Sequence, residues 1–93
     1  MFHKPRRDIV ESDTGFTVQL LGRGQLLYKE RDHELMIPSE GGLDGIAVWR
    51  NVPWSWQPPH QTEEIDNAKC DEIIENVRQA LGFQGDKLVV IGS

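Results

Sequence analysis

FTVQLLGRGQLLYKERDHELMI, residues 16–37, alternates apolar with polar side chains and breaks twice, at Gly22-Arg23-Gly24 and at Arg31-Asp32. Period-2 alternation marks strands with one buried face, and breaks of this kind mark tight turns between them. Phe16, Val18 and Leu20 share one face of the first strand. Gln25–Glu30 is the returning strand, with Leu26 and Tyr28 on that face, and His33–Ile37 follows with Leu35 and Ile37. Pro38, which lacks a ladder donor, is expected to close this third strand, with Ser39–Gly42 as a loop. Leu43–Arg50 then reads as a fourth strand that buries Ile46 and Val48. Four consecutive strands joined by short turns predict an antiparallel meander.

After the meander, Asn51–Gln61 carries Pro53, Pro58 and Pro59 and excludes a regular element. Thr62 is the expected N-cap of a helix, with Glu63 and Glu64 in its first turn, where the helix dipole favours acids. Cys70, Ile73, Ile74, Val77 and Leu81 fall on one side at 3.6 residues per turn. Gly82 is the expected left-handed stop, with Phe83 as a hydrophobic clasp. Lys87–Ile91 is apolar on both faces and predicts a strand inside the sheet. Upstream, residues 1–14 have only scattered apolar positions and read as a loosely held arm. The expected fold is one α+β domain over 1–93: a four-strand antiparallel meander, one helix on one face, then a final strand. The opposite face would carry Leu21, Leu27, Met36 and Trp49. Either the arm and the Trp-rich loop cover it, or a partner does.

Composition bounds the function. At 93 residues, 38% hydrophobic and 27% charged, the chain suits one soluble globular domain. Fifteen acids against ten bases give a charge of −5 and a pI near 5.0. Such a balance argues against nucleic-acid binding, which needs a basic footprint, and favours a basic protein partner. No run approaches the roughly 18 apolar residues of a membrane span, and the basic start has no apolar stretch behind it. The single Cys70 fits a reducing compartment, so a cytoplasmic protein is expected.

Chemistry-bearing patterns are sparse. His3, His33, His60 and Cys70 are scattered with no short ligand spacing, so neither a metal nor another cofactor is expected. No nucleophile elbow is present, and no enzyme is expected; one built on His33 or His60 would require a pocket of convergent polar groups. Both glycine-rich segments precede strands rather than helices, which makes them turns and not phosphate cradles. Two stretches stand out. Glu63–Glu75 holds six acids against Lys69 alone, and on a helical wheel Glu64, Asp71 and Glu75 project together with Glu72 beside them. This is either a solvated face or an acidic docking stripe. Trp49, Trp54 and Trp56 lie within eight residues of a proline-stiffened loop, where Trp54 and Trp56 are candidate interface anchors.

Leu27-Tyr28-Lys29-Glu30, Ile37-Pro38-Ser39-Glu40 before a glycine turn, Trp56-Gln57-Pro58-Pro59, and Ile73-Ile74-Glu75-Asn76-Val77 occur in that order. Together they resemble the immunity-protein family numbered seventy-four of bacterial polymorphic toxin systems, over residues 24–91. The resemblance implies an α+β domain, not an enzyme, that binds and neutralises a cognate toxin domain encoded beside it. An acidic inhibitor suits a basic toxin such as a nuclease, with Glu64, Asp71, Glu72 and Glu75 steering and Trp54 and Trp56 anchoring. The alternative is a homodimeric interaction module that closes its Leu21/Leu27/Met36/Trp49 face, or an unpaired strand edge, on a second copy.

Overall fold

The computed structural model describes residues 1–22, 24–42 and 45–92. Arg23 of the first expected turn, and Leu43 and Asp44 of the fourth expected strand, lie outside the described residues. The elements are β1 (Phe2–Arg6), β2 (Ile9–Ser12), β3 (Phe16–Gly22), β4 (Gln25–Glu30), β5 (His33–Gly42), β6 (Gly45–Trp49), α1 (Asn67–Phe83) and β7 (Leu88–Ile91). They form a seven-stranded sheet in sequence order, antiparallel from β1 to β6, with β7 parallel to β6. Parallel neighbours need a crossover, and α1 supplies it. The α+β class holds, but the four-strand meander is too small a description.

The two added strands come from residues 1–14, the expected arm. Val10 and Ser12 point into the core at 1% and 7% exposure, and Phe2 packs edge-on to Phe16 with centroids 5.9 Å apart. The alternation is real but only four residues long in β2, and the charged run through Arg7 and Asp8 is the hairpin turn. Pro5 is tolerated because β1 is the sheet edge. Pro38 does not end β5 either. The strand pairs with β4 up to Gln25–Pro38 and with β6 from Ser39–Val48 onward, so the proline stands where one partner is exchanged for the other. β7 closes the far edge of the sheet rather than lying inside it. Its all-apolar run has a different cause: Leu88 faces the helix, and Ile91, paired with Trp49, is 41% exposed on the other side. At the join of β6 and β7, Gly45 (φ 129°) is required, since a Cβ there would lie 2.2 Å from the Lys87 carbonyl oxygen.

The helix starts later than expected. Asp66, not Thr62, is the N-cap, its carboxylate accepting the Lys69 N–H at 2.8 Å. Glu63 and Glu64 therefore precede the helix. It ends at Phe83, two residues past Leu81, in a Schellman motif: Gly85 N–H donates to Gly82 O at 3.1 Å and Asp86 N–H to Leu81 O at 2.8 Å. Gly85, with φ at 92°, is the left-handed residue, and Gly82 stays helical.

The core lies between α1 and one face of the sheet. Val18, Leu26, Tyr28, Leu35, Ile37 and Val48 meet Ile73, Ile74, Val77, Ala80 and Leu81 there. The arm and the Trp-rich loop also contribute to this side, through Phe2, Trp54 and Trp56. On the outer face Leu27, Met36 and Trp49 are half-buried. Leu21, Leu27, Met36 and Trp49 stand outside the core cluster, with Leu21 38% exposed.

Candidate partner-binding site

The loop after β6 is laid along β5. Trp56 bridges Leu35, and Gln57 N–H donates to Glu34 O at 2.7 Å. This seats Trp56 in the core at 5% exposure, so it is not available as an anchor. Its wide apolar ring fills space beside Leu35 that β6, displaced toward the far end of β5, does not reach. Trp54 is half-buried, and its indole N–H donates to Trp49 O at 3.1 Å.

Trp54 lines a cleft of about 390 Å³ between this loop and the start of α1, together with Arg50, Pro53, Glu64 and Asn67. Arg50 holds Asp71 at its mouth through Nη2 at 2.6 Å and Nε at 3.1 Å. Three of the candidate residues, Trp54, Glu64 and Asp71, are thus gathered at one place by residues 50–71. Glu72 is turned to the other flank of the helix. There Lys69 Nζ donates to both Glu72 (2.5 Å) and Glu30 (2.6 Å). Glu75 stays on the exposed helix surface with Arg78 at 3.3 Å. The single acidic stripe expected from the wheel is therefore split, because Glu64 is off the helix and Asp71 and Glu72 each bend toward a different base.

Electrostatics follow the contacts. Burial works against the Glu30 carboxylate, but hydrogen bonds from Lys69 and Tyr28 outweigh it and hold its pKa below the ordinary value. Lys69 is shifted up, with burial again opposing and the bonds to Glu30 and Glu72 prevailing. Burial raises the Tyr28 phenol, which stays protonated and donates to Glu30 at 2.7 Å. Burial also raises the Cys70 thiol, which marks it as a packing residue.

The fold also assembles a cluster that no local spacing joins. His33 and His60 stack with ring centroids 3.7 Å apart and planes at 16°. Asp32 and Glu63 bracket the stack, so that each of the four ring nitrogens faces a carboxylate oxygen. The two histidines are separated by 27 positions, and only the fold-back of the proline-rich loop onto β5 brings them together.

No helix among the described residues is long and apolar enough to cross a membrane. In comparison with known proteins, the model of a family described as Immunity protein 74 matches residues 17–91. No curated protein and no solved structure matches the chain.

Proposed function

The chain belongs to the Immunity protein 74 family, and on that premise we propose that it neutralises a cognate toxin domain, without catalysis, by binding it and occluding its working surface. The family match over 17–91 carries this reading, because it spans β3 through β7 and every element that frames the cleft. The binding surface is the mouth of that cleft. Trp54 offers a half-buried aromatic wall with Glu64 beside it, Asp71 stands paired with the lining Arg50, and Glu72 and Glu75 extend the acidic surface along α1. A basic side chain of the toxin fits this chemistry, and the excess of acids speeds the encounter. The toxin is then a basic protein, and a nuclease is the class that this charge suits. Both act in the cytoplasm, and neither a nucleic acid nor a membrane is a partner of the immunity protein itself.

Co-expression with the neighbouring toxin gene in a bacterial host tests this reading. Growth is expected to be rescued by the intact chain. Continued toxicity with the chain folded and abundant would contradict it.

The apolar outer face, outside the core cluster and exposed at Leu21, favours a second reading, a homodimer through Leu21, Leu27, Met36 and Trp49. Light scattering of the isolated protein separates the two. A dimer mass that returns to monomer in Met36→Glu supports the homodimer, and a monomer mass at high concentration removes it.

A further inference from the structure

We propose that Asp32, His33 and His60 form a binding site for a divalent transition-metal ion of the zinc class, with Glu63 orienting the two imidazoles from the opposite end. The inference is independent of the toxin-binding reading.

His33 opens β5 immediately after the Arg31-Asp32 turn, and His60 comes from the loop that Gln57 and Trp56 pin to β5. At one end of the stacked rings Asp32 Oδ1 lies 3.0 Å from His33 Nδ1, and Oδ2 lies 3.2 Å from His60 Nε2. At the other end Glu63 Oε1 lies 2.8 Å from His33 Nε2, and Oε2 lies 2.5 Å from His60 Nδ1. Four ring nitrogens thus face four carboxylate oxygens. A neutral imidazole carries one N–H, so two neutral rings can satisfy only two of these four contacts.

If both N–H groups point to Glu63, two nitrogen lone pairs and a carboxylate meet at the Asp32 end with no hydrogen among them. That is a charge and donor deficit which a dication fills. Two imidazoles and one carboxylate are a zinc-type donor set, and a catalytic-style open site keeps a fourth position for water. The ligand atoms of Asp32, His33 and His60 lie within 4.8 Å of one another. The two Asp32 contacts are already close to the separation of about 3.4 Å between neighbours in a tetrahedral shell with bonds of about 2.1 Å.

Glu63 then plays the part that outer carboxylates play behind metal-bound histidines: it accepts the second N–H of each ring and fixes its tautomer. Lone pairs lie in the ring planes, so coordination requires the rings to tilt out of their parallel stack. Asp32, 75% exposed, is free to follow such a tilt, and the rings of His33 and His60 keep 21% and 19% exposure. A bound ion would clip the loop that carries Trp54 to the β4–β5 turn.

The test uses the full chain without an affinity tag, freed of metal by chelation. It is titrated with zinc chloride by calorimetry and with cobalt chloride by visible absorption, near pH 7.5. One equivalent is expected to bind, with a tetrahedral cobalt band and a raised melting temperature. His60→Gln and Asp32→Asn should each weaken binding at least about tenfold, and Glu63→Gln by about 10–100-fold as an outer partner. His3→Gln, distant in the hairpin, should leave binding unchanged. Asp32 is exposed, so Asp32→Asn remains informative if His60→Gln unfolds. Absence of saturable binding at about 1 mM zinc would overturn the proposal, as would undiminished binding in Asp32→Asn. A cluster that stabilises the protein on acidification and is indifferent to both metals would show that it takes protons only, and would equally overturn it.

Discussion

Asn76 Nδ2 donates to the Tyr28 hydroxyl oxygen at 2.9 Å, and this hydroxyl is a polar tie between α1 and the centre of the sheet. It donates onward to Glu30 at 2.7 Å, and Glu30 in turn receives Lys69 of the helix at 2.6 Å. Tyr28 is fully buried, so its hydroxyl has no water to fall back on. Tyr28→Phe is expected to cost about 1–3 kcal/mol by leaving Asn76 and Glu30 each short of a partner. Denaturant unfolding should show a lower midpoint with an unchanged slope. Adding Asn76→Ala to Tyr28→Phe should cost less than the sum of the two, since both cut the same chain of bonds.

The same chain predicts a pH dependence. The folded-state pKa of Glu30 is depressed, so its contribution to stability is fully present above the ordinary carboxylate value. It is lost as pH falls through the folded pKa, where the carboxylate takes up a proton and releases Lys69. Thermal melts of the native chain should therefore fall toward acid more steeply than those of Glu30→Gln. Parallel curves below about pH 4 would show that Glu30 contributes nothing to the acid limb.

Removal of residues 1–12 is expected to lower the melting temperature by several degrees at least. The truncation takes Val10 out of the core and exposes β3 as a new edge. A loss of about 1 kcal/mol already shifts a domain of this size by about 4–8 °C. An unchanged melting temperature would mean that the hairpin adds no stability.

Legibility of this fold in the sequence tracks how many residues carry each signal. Phe16–Ile37 offered three strands of clear alternation, and the core face read there is the observed one, with Val18, Leu26, Tyr28, Leu35 and Ile37 all buried. β2 offered only Ile9–Ser12 beside a charged turn, too short a pattern to outweigh composition. Pro38 was misleading because the rule against proline in a ladder assumes one continuous partner, and β5 changes partners there. Thr62 and Asp66 are both competent caps, and the choice is made by tertiary contacts, with Glu63 drawn away to His33 and His60. Of the candidate site, Trp54, Glu64 and Asp71 were legible as residue types but not as neighbours. The burial of Trp56 and the meeting of His33 with His60 depend on how a proline-rich loop lies against a strand, which no local period encodes.

Charge reversal at the cleft should act on association more than on stability. Glu64 is exposed and precedes the helix, so Glu64→Lys is expected to change folding stability by no more than about 0.5 kcal/mol. With Asp71→Lys added, association with the toxin domain should slow about tenfold or more, and its dependence on salt should flatten. Stopped-flow mixing at two ionic strengths reads both. An unchanged rate and salt slope would place the docking surface elsewhere, with the outer sheet face as the next surface to mutate.

The most direct measurement mixes the purified toxin domain with increasing amounts of this chain, following toxin activity and the mass of the mixture by light scattering. Activity is expected to fall to zero at one equivalent, with the mass of a 1:1 complex. Full activity at several equivalents of folded protein, with two unassociated masses at micromolar concentration, would contradict it.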